Sequence, residues 1–181
     1  MKKIPTIFKR NPDNLKEITR EHHANCEWVF NGEGVPTRKY DGTCCKVSGG
    51  VLFKRREVKC GKEPPCGFIE EQHDHVTGKR VGWLPVVDGD PQDKYHTEAF
   101  SDQPDGTYEL IGPKVQGNPE SVDSHVLISH AAAFVFDHCP TSYDELEQWL
   151  RLICGEGVVW HHPDGRMAKI KKRDFGIKRV V

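Results

Sequence analysis

The segment Thr37-Arg38-Lys39-Tyr40-Asp41-Gly42-Thr43-Cys44-Cys45-Lys46-Val47 places a lysine just before an Asp-Gly pair, at the mouth of a β-rich run. A solvated lysine ahead of a turn is one reading. A lysine nucleophile is the other, and it reacts only when neutral, a state favoured by neighbouring cations and desolvation. Three more segments put charge where a half-buried strand is expected. Glu109 sits in Tyr108-Glu109-Leu110-Ile111-Gly112, Glu156 precedes Gly157-Val158-Val159, and Lys169 and Lys171 flank Ile170. In a strand, side chains alternate, so the last two lysines share a face and Ile170 takes the other. Lysines neutralise phosphate oxygens and carboxylates hold magnesium. The set Lys39, Lys169, Lys171, Glu109 and Glu156 therefore suits a polyphosphate with a divalent metal, for which Glu156 and Glu109 are the expected ligands.

The elements that must position these groups are mainly strands. Residues 1–20 read as a short strand and a helix or loop. Residues 37–59 read as two strands joined at Ser48-Gly49-Gly50, residues 60–80 as a loop, and 107–115 as a strand ending at Pro113. Asp88-Gly89-Asp90-Pro91 and the residues through His96 read as a turn. Phe134-Val135-Phe136 reads as strand. Ser142–Cys154 is the clearest helix, with Ser142 and Glu145 at capping-box spacing and an apolar stripe of Leu146, Trp149, Leu150 and Ile153. Residues 156–174 read as two strands around Pro163-Asp164-Gly165. The fold class is α+β, antiparallel sheets with flanking helices.

The chain has 181 residues, with 36% hydrophobic and 29% charged, which favours one domain over 1–181. No apolar run approaches a bilayer span, and the basic N-terminus lacks the apolar core of a secretory signal, so no membrane association is expected and the seven cysteines read as reduced thiols of a cytoplasmic protein. The net charge of −1 means that a nucleic-acid partner must be held by a local patch, such as the basic run Lys169–Arg179. Cys60 and Cys66 with His73 and His75 lack the spacing of the usual zinc modules. Adjacent Cys44 and Cys45 read as packing residues on opposite strand faces. Arg56, His161 and His162 read as solvated or hairpin surface, and Trp83 and Trp160 as packed against a sheet.

Each charged segment alone is a weak signal. Their order and spacing together resemble the covalent nucleotidyltransferases: ATP-dependent DNA and RNA ligases and mRNA capping enzymes. Lys39-x-Asp41-Gly42, Arg55, Tyr108–Gly112, Phe134–Asp137, Glu156–Val159 and Lys169–Lys171 look like that superfamily's motifs in order. The phrases PTRKYDGTCC, ELIGPKVQGNP, LISHAAAF and EGVVWHHPDGRMAKIKKRDFG more closely resemble the small 5′-3′ RNA ligases known from animals, with relatives in microbes and viruses. The resemblance spans roughly Val35 to Gly176, least in 60–100.

The resemblance implies an ATP-grasp-like ligase adenylation domain without an OB-fold domain, using ATP and magnesium, or manganese in its place. Lys39 would attack the α-phosphorus of ATP and form a lysyl-AMP. Asp41 and Gly42 would shape the turn presenting it. Arg55 would contact ribose or the incoming 5′-phosphate, Glu109 the ribose hydroxyls, and Phe136 or Phe134 would stack on adenine. Glu156 would bind or orient the metal, and Lys169 and Lys171 would grip the α-phosphate. AMP would pass to an RNA 5′-phosphate, and a 3′-OH would displace it. One departure is Arg38, where many RNA ligases carry an acid; it adds a cation beside Lys39. A protein partner could assist in holding RNA. The alternatives are an inactive nucleotide- or RNA-binding module, a DNA nick-sealing ligase, and an enzyme transferring AMP to protein.

Overall fold

The computed structural model describes residues 2–178. The chain divides into two compact units, one of Asp41–Ala132 with residues up to Lys3, the other of Ile4–Tyr40 with the chain from Ala133 onward. The strands in order are β1 (Phe8–Arg10), β2 (Ile18–His22), β3 (Val35–Lys39), β4 (Thr43–Ser48), β5 (Val51–Val58), β6 (Ile69–Asp74), β7 (Lys79–Pro85), β8 (Gly106–Ile111), β9 (Val126–Ser129), β10 (Gly157–His161) and β11 (Met167–Lys171). The α-helices are α1 (Glu27–Phe30), α2 (Lys94–Ala99) and α3 (Tyr143–Leu152). All named strand pairs are antiparallel, in keeping with the expected α+β class. No helix among the described residues is long and apolar enough to cross a membrane.

The first unit is a six-stranded sheet in the order β6-β7-β5-β4-β8-β9. Cys45, Val47, Leu52, Tyr108 and Leu110 pack one side of it into a core with Ala99 and Val115. Register places Lys46 between Phe53 and Thr107, so by alternation Arg55 and Glu109 project from the other side. Gly42 is required by closeness rather than by backbone handedness. A Cβ there would lie 2.0 Å from the Leu110 carbonyl oxygen.

The second unit holds a three-stranded sheet, β11-β10-β3, and the β1-β2 pair. Its core contains Ile7, Phe8, Val29, Val158, Ala168 and Ile170, with Leu146 and Leu150 from α3. The i, i+4 spacing of the two leucines gives α3 a stripe that is fully buried. Each such side chain contributes about 1.5–3 kcal/mol by leaving water. Asp144 and Glu145 in the first turn and Arg151 in the last complement the helix dipole.

Several expectations need correction. Residues 60–80 are not one loop, because β6 and the start of β7 form a hairpin there. β6 is an edge strand whose side chains are largely exposed, so it lacks the apolar alternation that announces a strand. The run from Thr37 is broken after Lys39, and its two parts enter different sheets. Of the helix or loop expected beside the short strand in residues 1–20, the loop is found among the described residues, between β1 and the start of β2. Lys94 and the residues after it are helical rather than turn, following Asp93, whose fully buried carboxylate accepts from the Lys54 amine and the Val87 N–H. Phe134-Val135-Phe136 is not a strand. It follows a 3-10 turn at His130–Ala132 and meets β3 through one bridge, Thr37 with Val135, flanked by two backbone hydrogen bonds. Ser142 precedes α3, but its hydroxyl donates to the Glu145 carboxylate instead of capping a backbone N–H. Trp83 and Trp160 are buried as expected.

Candidate active site

The three-stranded sheet separates its two faces chemically. Lys39 lies opposite Gly157, and Gly157 opposite Lys171. Thr37, Val159 and Lys169 form the next row on the same face. The intervening residues Val158, Ala168 and Ile170 are fully buried in the core. Burying the apolar set thus aims Lys39, Lys169 and Lys171 out of one face. Gly157 lets the flanking strands close at that row. A Cβ there would stand 2.1 Å from the Ile170 carbonyl oxygen and 2.8 Å from the Lys171 Cα. Gly157→Ala is therefore expected to part β10 from β11 and cost about 1–3 kcal/mol, read as a lower urea midpoint.

Glu156 is built into the same corner. Its N–H donates to the Lys39 carbonyl at 2.9 Å, and its own carbonyl accepts from Lys172 N–H at 2.9 Å. One carboxylate oxygen pairs with Lys39 Nζ at 2.6 Å and the other with Lys171 Nζ. Burial opposes the Glu156 charge, but Lys39 and then Lys171 outweigh it and hold the carboxyl below its usual range. Burial lowers the Lys171 pKa, and Lys39 lowers it further. Lys169 has no ion-pair partner among the described residues. Burial, then Lys171 and Lys39, pull its pKa down to about 8. The corner therefore holds more cation than anion and is ready to accept phosphate oxygens.

A bound phosphate would stabilise the charged form of Lys169 and raise its pKa. Above about pH 8 the free lysine has lost its proton and the complex regains it. Calorimetric titration with ATP near pH 8.5, in buffers of different ionisation enthalpy, is expected to show net proton uptake. Lys169→Met should reduce that uptake.

Other expected residues fall as follows. Phe134 is 60% exposed, whereas Phe136 packs against the core and meets the Trp149 ring edge-on at 4.9 Å. Phe134 is thus the more open of the two rings, and Phe136 is partly buried. Alternation sends Arg38 to the opposite side of β3 from Lys39, where it stacks over Tyr40 at 4.7 Å. In the six-stranded unit, Asp41 and Glu109 are buried. The Asp41 N–H donates to Glu120 at 2.8 Å and the Gly42 N–H to Glu109 at 3.1 Å. Glu109 also meets His130 Nε2 at 3.2 Å. Sequence reading missed His130 and its second partner Thr107, although Thr107 and Glu109 alternate onto one strand face.

The carboxylates expected to hold magnesium are engaged elsewhere, Glu156 by two ammonium groups and Glu109 by an imidazole and an N–H. Among the described residues no group of three or more His, Cys, Asp or Glu side chains is arranged to hold a metal, Cys60, Cys66, His73 and His75 included. The donor set does not fit a protein-held divalent ion.

Comparison with known proteins supplies the family. RNA ligase 1 of Pongo abelii is 23% identical, the match covering 97% of this chain and 81% of that protein. RNA ligase 1 of Mus musculus is 25% identical over 82% of this chain and 68% of its own. That of Danio rerio is 25% identical over 62% and 44%. The family model for RNA ligase 1 matches residues 90–181. That span includes Glu109, Phe134, Glu156, Lys169 and Lys171 and leaves Lys39 outside. Half the chain matching one family model, and similarity to relatives of that name over nearly all of it, place this protein in the RNA ligase 1 family.

Proposed function

We propose that the protein joins RNA ends using ATP, through an AMP adduct on Lys39. The ammonium of Lys39 gives up a proton, and its lone pair attacks the α-phosphorus of ATP. The bond to pyrophosphate breaks, and a second proton leaves as the phosphoramidate forms. Glu156, 2.6 Å from the amine, is placed to receive a proton and to hold Lys39 in line. Lys169 and Lys171 offset charge building on the phosphate oxygens. AMP then passes to an RNA 5′-phosphate, and a 3′-OH displaces it. Phe134 is the proposed face for adenine, Glu109 the acceptor for ribose hydroxyls and Arg55 a phosphate or ribose contact, with Asp41 and Gly42 carrying the chain on from the nucleophile.

The observation that carries this reading is the sharing of Glu156 between Lys39 and Lys171, with Lys169 on the same face and without an ion-pair partner among the described residues. A solvated sheet edge would not cluster half-buried amines at the cost of depressing the pKa of Lys169 and Lys171. The test is incubation with α-labelled ATP and magnesium, followed by chase with 5′-phosphorylated RNA. Acid-labile label on the protein, discharged by pyrophosphate and transferred to RNA, is expected. Absence of label on folded protein, across metals and nucleotides, leaves a binding module. Transfer to nicked DNA but not to RNA assigns the substrate to DNA instead.

A further inference from the structure

The six-stranded unit contains a hydrogen-bonded chain that the lysine chemistry does not use. Thr107 and Glu109 are two apart on β8, so they stand on one face about 7 Å apart along the strand. His130, just past the end of β9, spans them. Its Nδ1 lies 3.0 Å from the Thr107 hydroxyl and its Nε2 lies 3.2 Å from Glu109 Oε2. The other Glu109 oxygen accepts the Gly42 N–H. A carboxylate only accepts, so Nε2 carries the proton, and in the neutral ring Nδ1 accepts from Thr107. The glutamate is 10% exposed at its side chain and the histidine 25%.

This arrangement differs from that of Glu156. Glu109 pairs with no lysine or arginine among the described residues; an imidazole and an amide fix one lone pair on each oxygen. Each oxygen keeps a second acceptor site. An acceptor of this kind, charged but held by weak donors, is suited to hydroxyl groups. A phosphate would be repelled. The Gly42 N–H that holds it belongs to the same Lys39-x-Asp41-Gly42 segment as the nucleophile.

We propose that His130 is a positioning residue that aims Glu109 at the ribose hydroxyls of the nucleotide, and so sets the preference for ribose over deoxyribose. This rests on the reading of the protein as an ATP-using enzyme. Glu109 fixes the ring tautomer, Thr107 steadies the ring by donating to Nδ1, His130 sets the carboxylate plane, and Glu109 accepts from the sugar. A hydrogen bond to a charged acceptor is worth about tenfold to a hundredfold in affinity.

The test measures binding, apart from chemistry. Affinities for ATP and for 2′,3′-dideoxy-ATP are determined by calorimetry for wild type, His130→Ala, His130→Gln and Thr107→Val, with unfolding curves for each. Wild type is expected to favour ATP by at least about tenfold. His130→Ala should bring the ratio to within about twofold by weakening ATP alone, since the dideoxy ligand never used Glu109. Glutamine can donate to Glu109 and accept from Thr107, so His130→Gln should recover part of the ratio. Thr107→Val should fall between. A general loss of packing would weaken both ligands together. The proposal is overturned if folded His130→Ala keeps the wild-type ratio, or if wild type does not discriminate. If His130→Ala does not fold, the ratios of His130→Gln and Thr107→Val decide in the same way. Discrimination in a wild type that takes no label from α-labelled ATP would remove the ligase reading and leave the sugar-reading role standing.

Discussion

Lys39→Arg is expected to abolish labelling by α-labelled ATP, a loss of at least about ten-thousandfold, while the protein stays folded and still binds ATP. The guanidinium keeps the positive charge opposite Glu156 and can pair with it in place of the 2.6 Å contact. It cannot be deprotonated in a protein, so it offers no lone pair to phosphorus. Lys39→Ala would remove both the nucleophile and the ion pair and could not tell them apart. The arginine variant separates them. Background labelling with near-normal ATP affinity by calorimetry assigns Lys39 the covalent step. Retained labelling would move the nucleophile elsewhere, and Lys169, with its pKa near 8, would be the first residue to examine.

The second large effect is expected from Glu156→Gln, in both activity and stability. The carboxylate is the only anion paired with Lys39 and Lys171 among the described ion pairs. Its loss leaves two mostly buried ammonium groups facing each other. Breaking a buried pair from one side costs about 3–5 kcal/mol, and the partial exposure of these lysines brings the expected figure to about 2–4 kcal/mol. Labelling should fall about a hundredfold to a thousandfold, because Lys39 loses both its aligning contact and its proton acceptor. The pH dependence supplies a check with a definite sign. The folded carboxyl titrates below its ordinary value of 4.5. Its contribution is therefore fully present above that value and is lost as the pH falls through the lower folded one. Urea midpoints of wild type and Glu156→Gln should differ at neutral pH and converge in acid.

The legibility of the site varied with how local its signal was. Lys169-Ile170-Lys171 was readable because alternation is a backbone property, and Ile170 is buried as the pattern required. The same logic fixed the α3 stripe, since Leu146 and Leu150 repeat at helical spacing. β6 was illegible because an edge strand with mostly exposed side chains is held by backbone hydrogen bonds that leave no apolar period. Phe134-Val135-Phe136 misled in the opposite direction. It has strand-forming residues, yet tertiary placement after the 3-10 turn allows it a single bridge. The role first expected of Glu156 shows the same limit. Spacing marked it as a candidate but could not say that Lys39 and Lys171 would both pair with it.

By itself, then, the sequence determined which residues could do chemistry and which strand faces they occupy, because residue type and period-two alternation are local. Only the tertiary structure decided their partners. It set Gly157 between Lys39 and Lys171, gave one carboxylate to two lysines and left Lys169 with none among the described residues. It also lodged Glu109 between His130 and the Gly42 N–H. Those pairings join residues far apart in the chain, and they set charge, pKa and aim through distances that no local pattern encodes.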